Sequence, residues 1–495
     1  MRNNPHIYEI NLMAWLNELS ARQGCKVSLS QVPASQWENI KRMGMDAVWL
    51  MGMWERSPVS QIEARKAEIL RRECEKILPD FQIADLGGSP YAVRSYSPDP
   101  QFGDTNDLRA LKKTLNDIGL RLILDFVPNH TACDHHWVRE HPEYYINASP
   151  GSAGTCPDGF FRATSTQRRI CIAHGKDPYF PPWTDTAQLN YGKRDTHEAM
   201  KEALQSISEL CDGLRCDMAM LVLNDVFGKT WAQYLTAMEE PQEFWPYAIN
   251  SIRDIRANFT FIAESYWGLE KQLLEAGFNY SYDKDFYDAL INSDVESLKN
   301  QLSRALADQE RLLRFLENHD EARAMDVFGR DRIKAAMVIH ATVPGARLWY
   351  HGQFEGRRMR VPVQLRRAPE EPLDKDILEF SAKLLEQTGQ PIFHEGLWQM
   401  CAVDGWLDNQ SCKSLLAWGL QHGRERALIA VNFSDIPSQG RIRFPRSWFG
   451  ATGNLKMTDP IKEEKYSARI EDAETQGLYV GLKPWDFHFF HIHFD

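Results

Sequence analysis

The feature of this sequence that most limits its fold is a repeated alternation of short apolar runs with amphipathic helical stretches. Strands that alternate with helices form parallel sheets, and eight of them close into a barrel. No glycine-rich phosphate loop follows any run, which disfavours a doubly wound sheet. The pattern therefore predicts an α/β fold built on a (β/α)8 TIM barrel. The eight runs are Ile7–Leu12, Asp46–Met51, Arg121–Val127, Gly213–Asp217, Phe259–Ala263, Phe278–Tyr282, Leu312–Leu316 and Ala346–Tyr350.

Helical periodicity between the runs supports this prediction. Residues Asp104–Gly119 place leucines at helical spacing on one face, with Asp104 as the expected N-cap. Residues 197–211 and Asp294–Asp308 are predicted as two further helices.

The spacing of the runs predicts three domains. Asp125 and Asp217 are 92 positions apart, whereas one strand–helix repeat needs roughly 30 to 45 residues. The excess predicts a small subdomain, residues 131–190, inserted after the third strand into a barrel of residues 1–130 and 191–390. From residue 391 to 495 short alternating runs predict an all-β sandwich domain. A second insertion, Gln61–Pro79, is a highly charged helix, expected to lie solvated on the rim or to act as a lid or oligomer contact.

Composition excludes several classes of protein. The 495 residues carry 57 basic and 68 acidic side chains, a formal net charge of −11, which argues against a nucleic-acid partner. No apolar stretch reaches 18 residues and the N-terminus lacks signal-peptide features, so neither a membrane partner nor secretion is expected. Nine cysteines without paired spacing predict reduced thiols and a cytoplasmic location, with one pairing, Cys156 to Cys171, left open.

Polar residues come directly after four of the predicted strands. Residues of these types do not belong to an apolar core. They converge on the carboxyl-terminal mouth, where barrel enzymes place their active sites. One such acid often caps a helix or pairs with a base, but four strands ending in this way point to catalysis. These residues are Asp125, Asn129 and His130 after strand three, Arg215 and Asp217 after strand four, Glu264 after strand five, and Asn318, His319 and Asp320 after strand seven.

The motifs at these strand ends resemble those of the alpha-amylase superfamily, glycoside hydrolase family 13. The resemblance rests on DFVPNH at 125–130, GLRCD at 213–217, Glu264 and ENHD at 317–320, in the family's order and spacing. AQLN at 187–190 and GSPYAV at 88–93 add to it. It implies a retaining glycoside hydrolase that cleaves α-glucosidic bonds of oligosaccharides or small α-glucosides by double displacement, through a covalent glycosyl-aspartate intermediate.

The resemblance also implies a role for each residue. Asp217 would be the nucleophile, Glu264 the general acid/base and Asp320 the acid that stabilises the transition state. Arg215, His130, His319 and Tyr91 would bind the sugar, while Asp125 would orient Arg215 and its loop. A retaining glycosidase needs one ionised and one protonated carboxyl group. We expect Arg215 to lower the pKa of Asp217 and a dry surrounding to keep Glu264 protonated.

The residues after the expected nucleophile depart from the family. Many starch-cleaving members carry Ala-Ala-Lys-His there, whereas this chain has Met218, Ala219, Met220 and Leu221. These side chains either create an unusual leaving-group site or simply pack in the barrel. The linkage therefore stays open.

Two alternatives to hydrolysis also follow. A transferase or phosphorylase would resolve the same covalent intermediate with a sugar, polyol or phosphate. A non-catalytic binding or subunit role would predict the loss of a catalytic acid, yet all three acids are present.

A calcium ion is the one metal that the resemblance raises, and the chemistry itself requires no cofactor. Asn129 matches a position that ligates structural calcium in many members. Candidate companions are Asp158, Asp177 and Asp185, since calcium takes hard oxygen ligands.

Overall fold

The computed structural model describes residues 1–150, 155–164, 169–235, 242–445, 448 and 453–494. Eight parallel strands close into a barrel in the order β1-β15-β14-β13-β12-β11-β5-β2. Through residue 390 the described strands are β1 (His6–Asn11), β2 (Ala47–Met51), β3 (Trp54–Arg56), β4 (Val93–Pro98), β5 (Arg121–Phe126), β6 (His130–Ala132), β7 (Asn147–Ala148), β8 (Phe160–Thr164), β9 (Arg169–Ala173), β10 (Thr186–Gln188), β11 (Gly213–Cys216), β12 (Thr260–Ala263), β13 (Tyr280–Tyr282), β14 (Leu312–Arg314) and β15 (Ala346–Tyr350).

The barrel strands coincide with the eight predicted apolar runs, so the predicted barrel is confirmed. Strands that are covered on both faces read as continuous apolar segments, which is why the runs were visible in the sequence. Large apolar side chains such as Trp49, Ile123 and Leu348 fill the barrel interior. The interior is therefore a packed core, and the polar residues lie beyond the strand ends.

Helices follow the strands and cover the outside of the barrel. The described helices are α1 (Leu12–Gln23), α2 (Ala34–Arg42), α3 (Pro58–Lys66), α4 (Glu68–Ile77), α5 (Thr105–Asp117), α6 (His136–Glu140), α7 (Arg194–Ser208), α8 (Asn224–Trp231), α9 (Phe244–Arg253), α10 (Glu270–Glu275), α11 (Lys284–Ile291), α12 (Val295–Leu302), α13 (Leu306–Gln309), α14 (Ala324–Thr342), α15 (Lys375–Thr388), α16 (Ile392–Glu395) and α17 (Ile470–Thr475).

The helix predictions are confirmed at α5 and α7 and need correction at α12. The carboxylate of Asp104 accepts hydrogen bonds from the backbone N–H groups of Asn106 and Asp107, at 2.7 and 3.0 Å, as an N-cap does. The segment predicted as one helix from Asp294 instead forms two helices, because α12 ends at Leu302 and α13 begins at Leu306.

The segment predicted as an inserted subdomain contains two small antiparallel sheets. In one, β9 pairs with both β7 and β8, and in the other β10 pairs with β6. A disulfide joins Cys156 to Cys171. The prediction of reduced thiols is therefore wrong for these two residues, and the pairing that the sequence left open is present. Because disulfides persist in oxidising compartments, this bond weighs against the predicted cytoplasmic location.

The charged insertion forms two helices, α3 and α4, that are anchored to the barrel. Cys74 and Leu78 of this segment are buried against Leu86 and Leu365 in a small apolar cluster. The opposite face of α4 is open, with Ile69 85% exposed. The helices are thus fixed along one face to the chain that follows the last barrel strand.

The described part of the C-terminal segment is mainly β, as the alternating runs predicted, with two short α-helices, α16 at its start and α17 between β22 and β23. Its strands form a six-stranded sheet, β16-β18-β19-β24-β21-β22, and a three-stranded sheet, β17-β20-β23. Apolar side chains including Leu428, Ile442 and Phe490 pack together in a core of this segment. The described strands are β16 (Leu397–Met400), β17 (Val403–Asp404), β18 (Leu415–His422), β19 (Glu425–Asn432), β20 (Ser438–Ile442), β21 (Asn454–Asp459), β22 (Glu464–Arg469), β23 (Leu478–Leu482) and β24 (Phe487–Phe494).

Aromatic pairs join the larger sheet to the barrel. Phe380 lies 5.9 Å from Phe487, and Phe393 lies 5.3 Å from Phe489, between ring centroids. Among the described residues, no helix has the length and apolar character needed to cross a membrane.

Candidate active site

Two of the predicted catalytic acids follow neighbouring barrel strands. Asp217 comes directly after β11 and Glu264 directly after β12. These strands are parallel, with Cys216 opposite Ala263, so both acids leave the sheet at the same level. The backbone N–H of Glu264 donates to the carbonyl of Cys216 at 3.0 Å. The barrel register therefore places the two carboxylates side by side at the mouth.

One buried guanidinium, that of Arg215, contacts both carboxylates. Its Nη1 donates to Oδ1 of Asp217 at 2.7 Å, and its Nη2 lies 2.7 Å from Oε1 of Glu264. Its Nε donates to the hydroxyl of Tyr282 at 3.3 Å. The Arg215 side chain is 1% exposed. The planar cation thus fixes the relative position of the two acids.

Glu264 is held by two hydrogen-bond donors besides its ion pair with Arg215, and its pKa lies near neutral pH. Its Oε2 accepts from the backbone N–H of Met218 at 2.6 Å, and its Oε1 accepts from the Tyr266 hydroxyl at 2.9 Å. Burial raises the pKa of Glu264 to about 7, although the charge of Arg215 opposes this rise. The group can therefore give and take a proton near neutral pH.

The pKa of Asp217 is raised, whereas the sequence led us to expect that Arg215 would lower it. Burial raises its pKa above the ordinary value, and this effect exceeds the lowering that Arg215 produces. The expected lowering by Arg215 exists, but desolvation outweighs it. Within the described residues only Oδ1 of Asp217 has a hydrogen-bond donor, which leaves Oδ2 as the oxygen with open lone pairs.

The third predicted acid, Asp320, lies beside a buried histidine. Oδ2 of Asp320 is 3.0 Å from Nε2 of His319, whose Nδ1 is 2.5 Å from Oε1 of Glu9. Burial disfavours the charged ring, yet Asp320 and Glu9 raise the pKa of His319 well above its usual range. Desolvation raises the pKa of Asp320, but His319 outweighs it and brings that pKa down to about 2. An imidazolium thus lies between two carboxylates.

Tyr91 belongs to the same cluster. Its hydroxyl is 2.7 Å from Nε2 of His319, and its ring stacks on that imidazole with a centroid distance of 5.5 Å. The ring also lies 5.3 Å from the Arg215 guanidinium. Tyr91 therefore links His319 to the residue that holds the other two acids.

Three residues of this cluster, Glu9, Tyr266 and Tyr282, were not expected from the sequence. Glu9 is completely buried in the middle of β1. An ionisable residue inside an otherwise apolar run was the available signal, since a buried carboxylate needs a partner. Tyr266 follows β12 and Tyr282 ends β13. At such positions an aromatic residue is indistinguishable from a core residue in the sequence.

Asn129 and His130 face the small sheets of the insertion. The Nδ2 of Asn129 donates to Oε1 of Gln188 at 3.2 Å, and Nε2 of Gln188 donates back to Oδ1 of Asn129 at 3.0 Å. The same Nε2 also lies 3.0 Å from the carbonyl of Asn129. Burial lowers the pKa of His130 to about 4, so its ring is neutral, and it lies 5.2 Å from the Trp183 ring.

The donor set around Asn129 does not fit a calcium ion. Calcium prefers several oxygen ligands with carboxylates among them, whereas the Asn129 amide is paired with another amide. Asp177 accepts from the backbone N–H of Tyr179, and Asp185 accepts from the Ser60 hydroxyl. Among the residues that the structure describes, no group of three or more His, Cys, Asp or Glu could hold a metal.

Asp125 fixes the loop after β2. Its Oδ1 accepts from Nε1 of Trp49 at 3.1 Å, and its Oδ2 accepts from the backbone N–H of Gly52 at 2.8 Å. Burial raises its pKa to about 6 against the effect of Arg215. Among the described contacts it has no hydrogen bond to Arg215, so it positions the loop.

The residues after Asp217 pack in the barrel. Met218 has a φ of 41°, in the left-handed region that non-glycine residues rarely adopt. Ala219–Val222 form a short 3₁₀ helix whose residues are all buried. Of the two interpretations that the sequence allowed for Met220 and Leu221, core packing is the one that their burial supports.

The charged insertion reaches the active site through one arginine. Arg360 lies 2.7 Å from the Glu73 carboxylate of α4, and its Nη1 lies 3.3 Å from the backbone carbonyl of Asp320. The insertion therefore borders the mouth on the side of Asp320.

Comparison with known proteins agrees with this geometry. The family described as "Alpha amylase, catalytic domain" matches residues 34–365. Alpha-amylase MalA of Haloarcula japonica is 27% identical over 268 residues, which are 52% of this chain and 35% of that protein. A 4-alpha-glucanotransferase of Thermotoga neapolitana is 24% identical over 341 residues, 64% of this chain and 65% of the relative. These matches thus span about a third to two thirds of the relatives.

The fold is also that of a solved amylase structure. The noncanonic maltogenic alpha-amylase AmyB from Thermotoga neapolitana superposes with a TM-score of 0.71 at 18% identity, covering 100% of this chain and 99% of that one. Because the family match spans more than half of the chain and includes the strand ends that carry the acids, this protein belongs to the alpha-amylase family of glycosidases.

Proposed function

We propose that this protein is a retaining glycoside hydrolase that cleaves α-glucosidic bonds of oligosaccharides or small α-glucosides. The observation that carries the proposal is the pair of acids on one guanidinium, Asp217 and Glu264 on Arg215. Both contact it at 2.7 Å, yet their remaining contacts differ. Double displacement needs two carboxyl groups about 5–5.5 Å apart with distinct roles. Asp217 and Glu264 follow neighbouring strands and contact two nitrogens of the same guanidinium. This arrangement supports a short separation between the two carboxyl groups.

In the first step Asp217 acts as the nucleophile. Its Oδ2 attacks the anomeric carbon, and the bond from that carbon to the glycosidic oxygen breaks. Protonated Glu264 gives its proton to the departing oxygen, so the leaving group departs as a neutral alcohol. Arg215 neutralises the negative charge that then resides on Glu264. A covalent glycosyl ester on Asp217 results.

In the second step Glu264 acts as the base. It takes a proton from a water molecule, whose oxygen attacks the anomeric carbon from the side that the leaving group vacated. The bond to Asp217 breaks and the carboxylate is restored, with the anomeric configuration retained. A pKa of about 7 for Glu264 suits a group that must hold and release the same proton.

Asp320 and His319 stabilise the transition state. Asp320 carries a negative charge because of its low pKa, and it would face the positive charge that develops at the sugar ring. His319, held as an imidazolium by Asp320 and Glu9, would offer its Nε2–H to a sugar hydroxyl in place of its present contacts with Asp320 and Tyr91, because its Nδ1 is engaged by Glu9. Tyr91 and His130 would complete the site on either side of the ring.

The transferase remains the second candidate, and one observation favours it. One of the relatives that this chain matches is a 4-alpha-glucanotransferase of Thermotoga neapolitana, and the four strand-end motifs are compatible with either reaction. Water and a sugar attack the same intermediate from the same side.

Product analysis separates the two candidates. The protein is incubated with maltose, isomaltose, sucrose, trehalose and maltoheptaose, each with and without inorganic phosphate or a glucose acceptor. We expect free glucose or short oligosaccharides regardless of the additive, with the linkage given by the sugar that is cut. New glycosides or sugar phosphates that form only with an acceptor would make it a transferase or phosphorylase. The Asp217→Ala variant is the control, and turnover equal to the unmodified enzyme would overturn the assignment of the nucleophile.

We infer that the Asn129–Gln188 amide pair, and not a calcium ion, holds this part of the insertion to the barrel. The two side chains satisfy each other, and Gln188 also binds two backbone carbonyls. They tie the end of β5 to β10 of the insertion without a metal.

A further inference from the structure

The smaller C-terminal sheet carries a groove on its outer face, far along the chain from the catalytic acids. It has a volume of about 460 Å³ and is lined by residues of β20, β23 and the turn before β18. Outward-facing residues alternate along β23 as Tyr479, Gly481 and Lys483, while the residues between them are buried. We call this feature the outer groove. Its volume falls in the range of small-molecule binding sites.

One aromatic ring, that of Tyr479, lines the outer groove, and the ring of Trp406 lies next to it. Tyr479 is 54% exposed, which is unusual for a large aromatic side chain on a sheet. Its ring lies 6.2 Å from that of Trp406 at a tilt of 55°. Leu407, beside Trp406, is fully exposed. An aromatic surface of this kind marks a contact site.

Both rings are held in place before any ligand arrives. The Tyr479 hydroxyl donates to Oε1 of Gln439 at 2.8 Å. Trp406 lies in a tight turn, where its backbone N–H and carbonyl bond with Asn409 at 3.0 and 3.1 Å. Gln410 donates to the same carbonyl at 2.6 Å. A fixed ring loses little conformational freedom when a ligand binds, so this surface is preorganised.

A glycine leaves the floor of the outer groove bare. Gly481 lies opposite Gln439 in the β20–β23 ladder. A Cβ atom at this position would lie 3.1 Å from the Tyr479 hydroxyl and would push against it. The backbone of Gly481 has no positive φ, so conformation does not require glycine here. The open space is the feature that glycine provides.

The remaining lining residues are uncharged hydrogen-bonding groups, with one cation. Asn409, Ser411, Gln439 and Lys483 line the outer groove, and no carboxylate does. Aromatic rings beside amide, hydroxyl and ammonium groups match a ligand with apolar faces and hydroxyl edges. A sugar chain has that character, because the ring faces carry C–H groups and the edges carry hydroxyls. An anionic or purely apolar ligand would leave half of these groups unused.

We propose that the outer groove is a second carbohydrate-binding site, which holds an α-glucan chain away from the catalytic acids. The choice of α-glucan rests on the proposed function, whereas the binding of a sugar chain rests on the groove itself. A chain bound at this site raises the local concentration of its other end near the enzyme. The expected effect is a lower KM for long substrates and no effect on short ones.

The test uses the full-length protein and soluble starch as the probe. Affinity electrophoresis is run with Asp217→Ala, so that turnover does not destroy the glucan. We expect added Trp406→Ala and Tyr479→Ala to reduce glucan retardation at least tenfold in apparent affinity. Gly481→Leu, which fills the floor and pushes against the Tyr479 hydroxyl, should do the same. Tyr466→Ala is the matched control, since Tyr466 is 39% exposed on the other sheet.

Kinetics give the second readout. In the active enzyme the Trp406 and Tyr479 changes should raise KM for soluble starch several-fold, with kcat/KM for the smallest substrate unchanged. Unaltered retardation by starch in both groove variants would overturn the proposal and leave the proposed function intact. A glucan-binding groove on an enzyme that cuts no α-glucoside would instead contradict the proposed function alone. A shift from dimer to monomer in the variants, seen by sedimentation, would identify the surface as a contact between copies and also overturn the proposal.

Discussion

Nδ1 of His319 and Oε1 of Glu9 are 2.5 Å apart, and both side chains are completely buried. The pair links the first barrel strand to the end of the seventh. Asp320 has the larger effect on the pKa of His319, and Glu9 adds to it, so the two carboxylates together keep the histidine charged although burial opposes charge. The consequence is that Glu9, which touches no other predicted catalytic group in the described structure, helps to set the state of the ring beside Asp320.

The first prediction follows from this pair. Glu9→Gln keeps the shape of the side chain but removes its charge, so burial lowers the pKa of His319. Glu264 sets the alkaline limb of kcat/KM in the unmodified enzyme. We expect the pKa of His319 to fall below that of Glu264 in the variant, so that the limb moves to lower pH with a loss of about 10²-fold above it. The reason is that the ring loses its proton as pH rises through the lowered pKa. The pH profile of kcat/KM is the measurement.

A neighbouring glutamate supplies the control for this prediction. Glu317 is also buried, and it pairs with Arg323 at 3.1 Å and has no ion pair with His319 among the described contacts. Glu317→Gln should leave the alkaline limb in place. A Glu9→Gln profile that coincides with the unmodified enzyme would show that Glu9 does not set the charge of His319.

The second prediction concerns the pH dependence of the unmodified enzyme. Glu264 must be protonated to act as the acid, and burial raises its pKa to about 7. Activity therefore falls as pH rises through about 7. Asp217 must be ionised, and its pKa is raised by burial, so the acid limb lies above the ordinary range for an aspartate. The profile of kcat/KM against pH is expected to be bell-shaped.

A variant isolates the contribution of Glu264 to this profile. Glu264→Gln should lose about 10²–10⁴-fold in activity on an ordinary glucoside. With an activated aryl glucoside the first step needs no proton, so a glycosyl adduct on Asp217 should accumulate and be visible by intact mass spectrometry. An equal loss on both substrates without an adduct would contradict the acid role.

The third prediction concerns Arg215. A lysine carries the same charge but has no second nitrogen with which to contact both acids. Arg215→Lys should therefore lower kcat by about 10²-fold or more. Steady-state kinetics measure the loss. Arg314→Lys, at a buried arginine that binds Asp283 at 2.9 Å outside the site, should keep kcat near its normal value.

The fourth prediction concerns the amide pair. Removal of divalent cations with a chelator should leave the Tm unchanged, and added calcium should not raise it. Gln188→Ala leaves the buried Asn129 amide without its partner, which should cost about 1–3 kcal/mol in the free energy of unfolding. Urea titration measures this cost. The control is Gln301→Ala, at a buried glutamine of α12. A Tm that falls on chelation would overturn the assignment of this role to amides.

The parts of the structure that sequence predicted share one physical cause. A parallel barrel strand is covered on both faces, so β2 is an unbroken apolar run in the sequence. A polar residue directly after such a run, as Asp217 or Glu264, then stands out. The same rule concealed Glu9, because a single carboxylate within the β1 run looks like an exception until its partner from the seventh strand is placed beside it.

Other features could not be predicted, because they depend on contacts between residues far apart in the sequence or have no strong local signal. The break between α12 and α13 falls at Ser303–Ala305, where serine, arginine and alanine carry no strong helix-stop signal. The charge state of Asp217 depends on the balance of desolvation against Arg215, and the sequence identified only the second effect. The Cys156–Cys171 pairing could be named but not chosen, since spacing alone does not fix connectivity.

That disulfide has a practical consequence for anyone who prepares the protein. It closes a loop of the insertion next to β8 and β9, and a host cell with a reducing interior would deliver the same polypeptide with two thiols there. Protein from an oxidising host would then contain the disulfide, and protein of the same sequence from a reducing host would contain two free thiols. Titration of the free thiols in each batch before an assay shows whether the disulfide or the dithiol form is present.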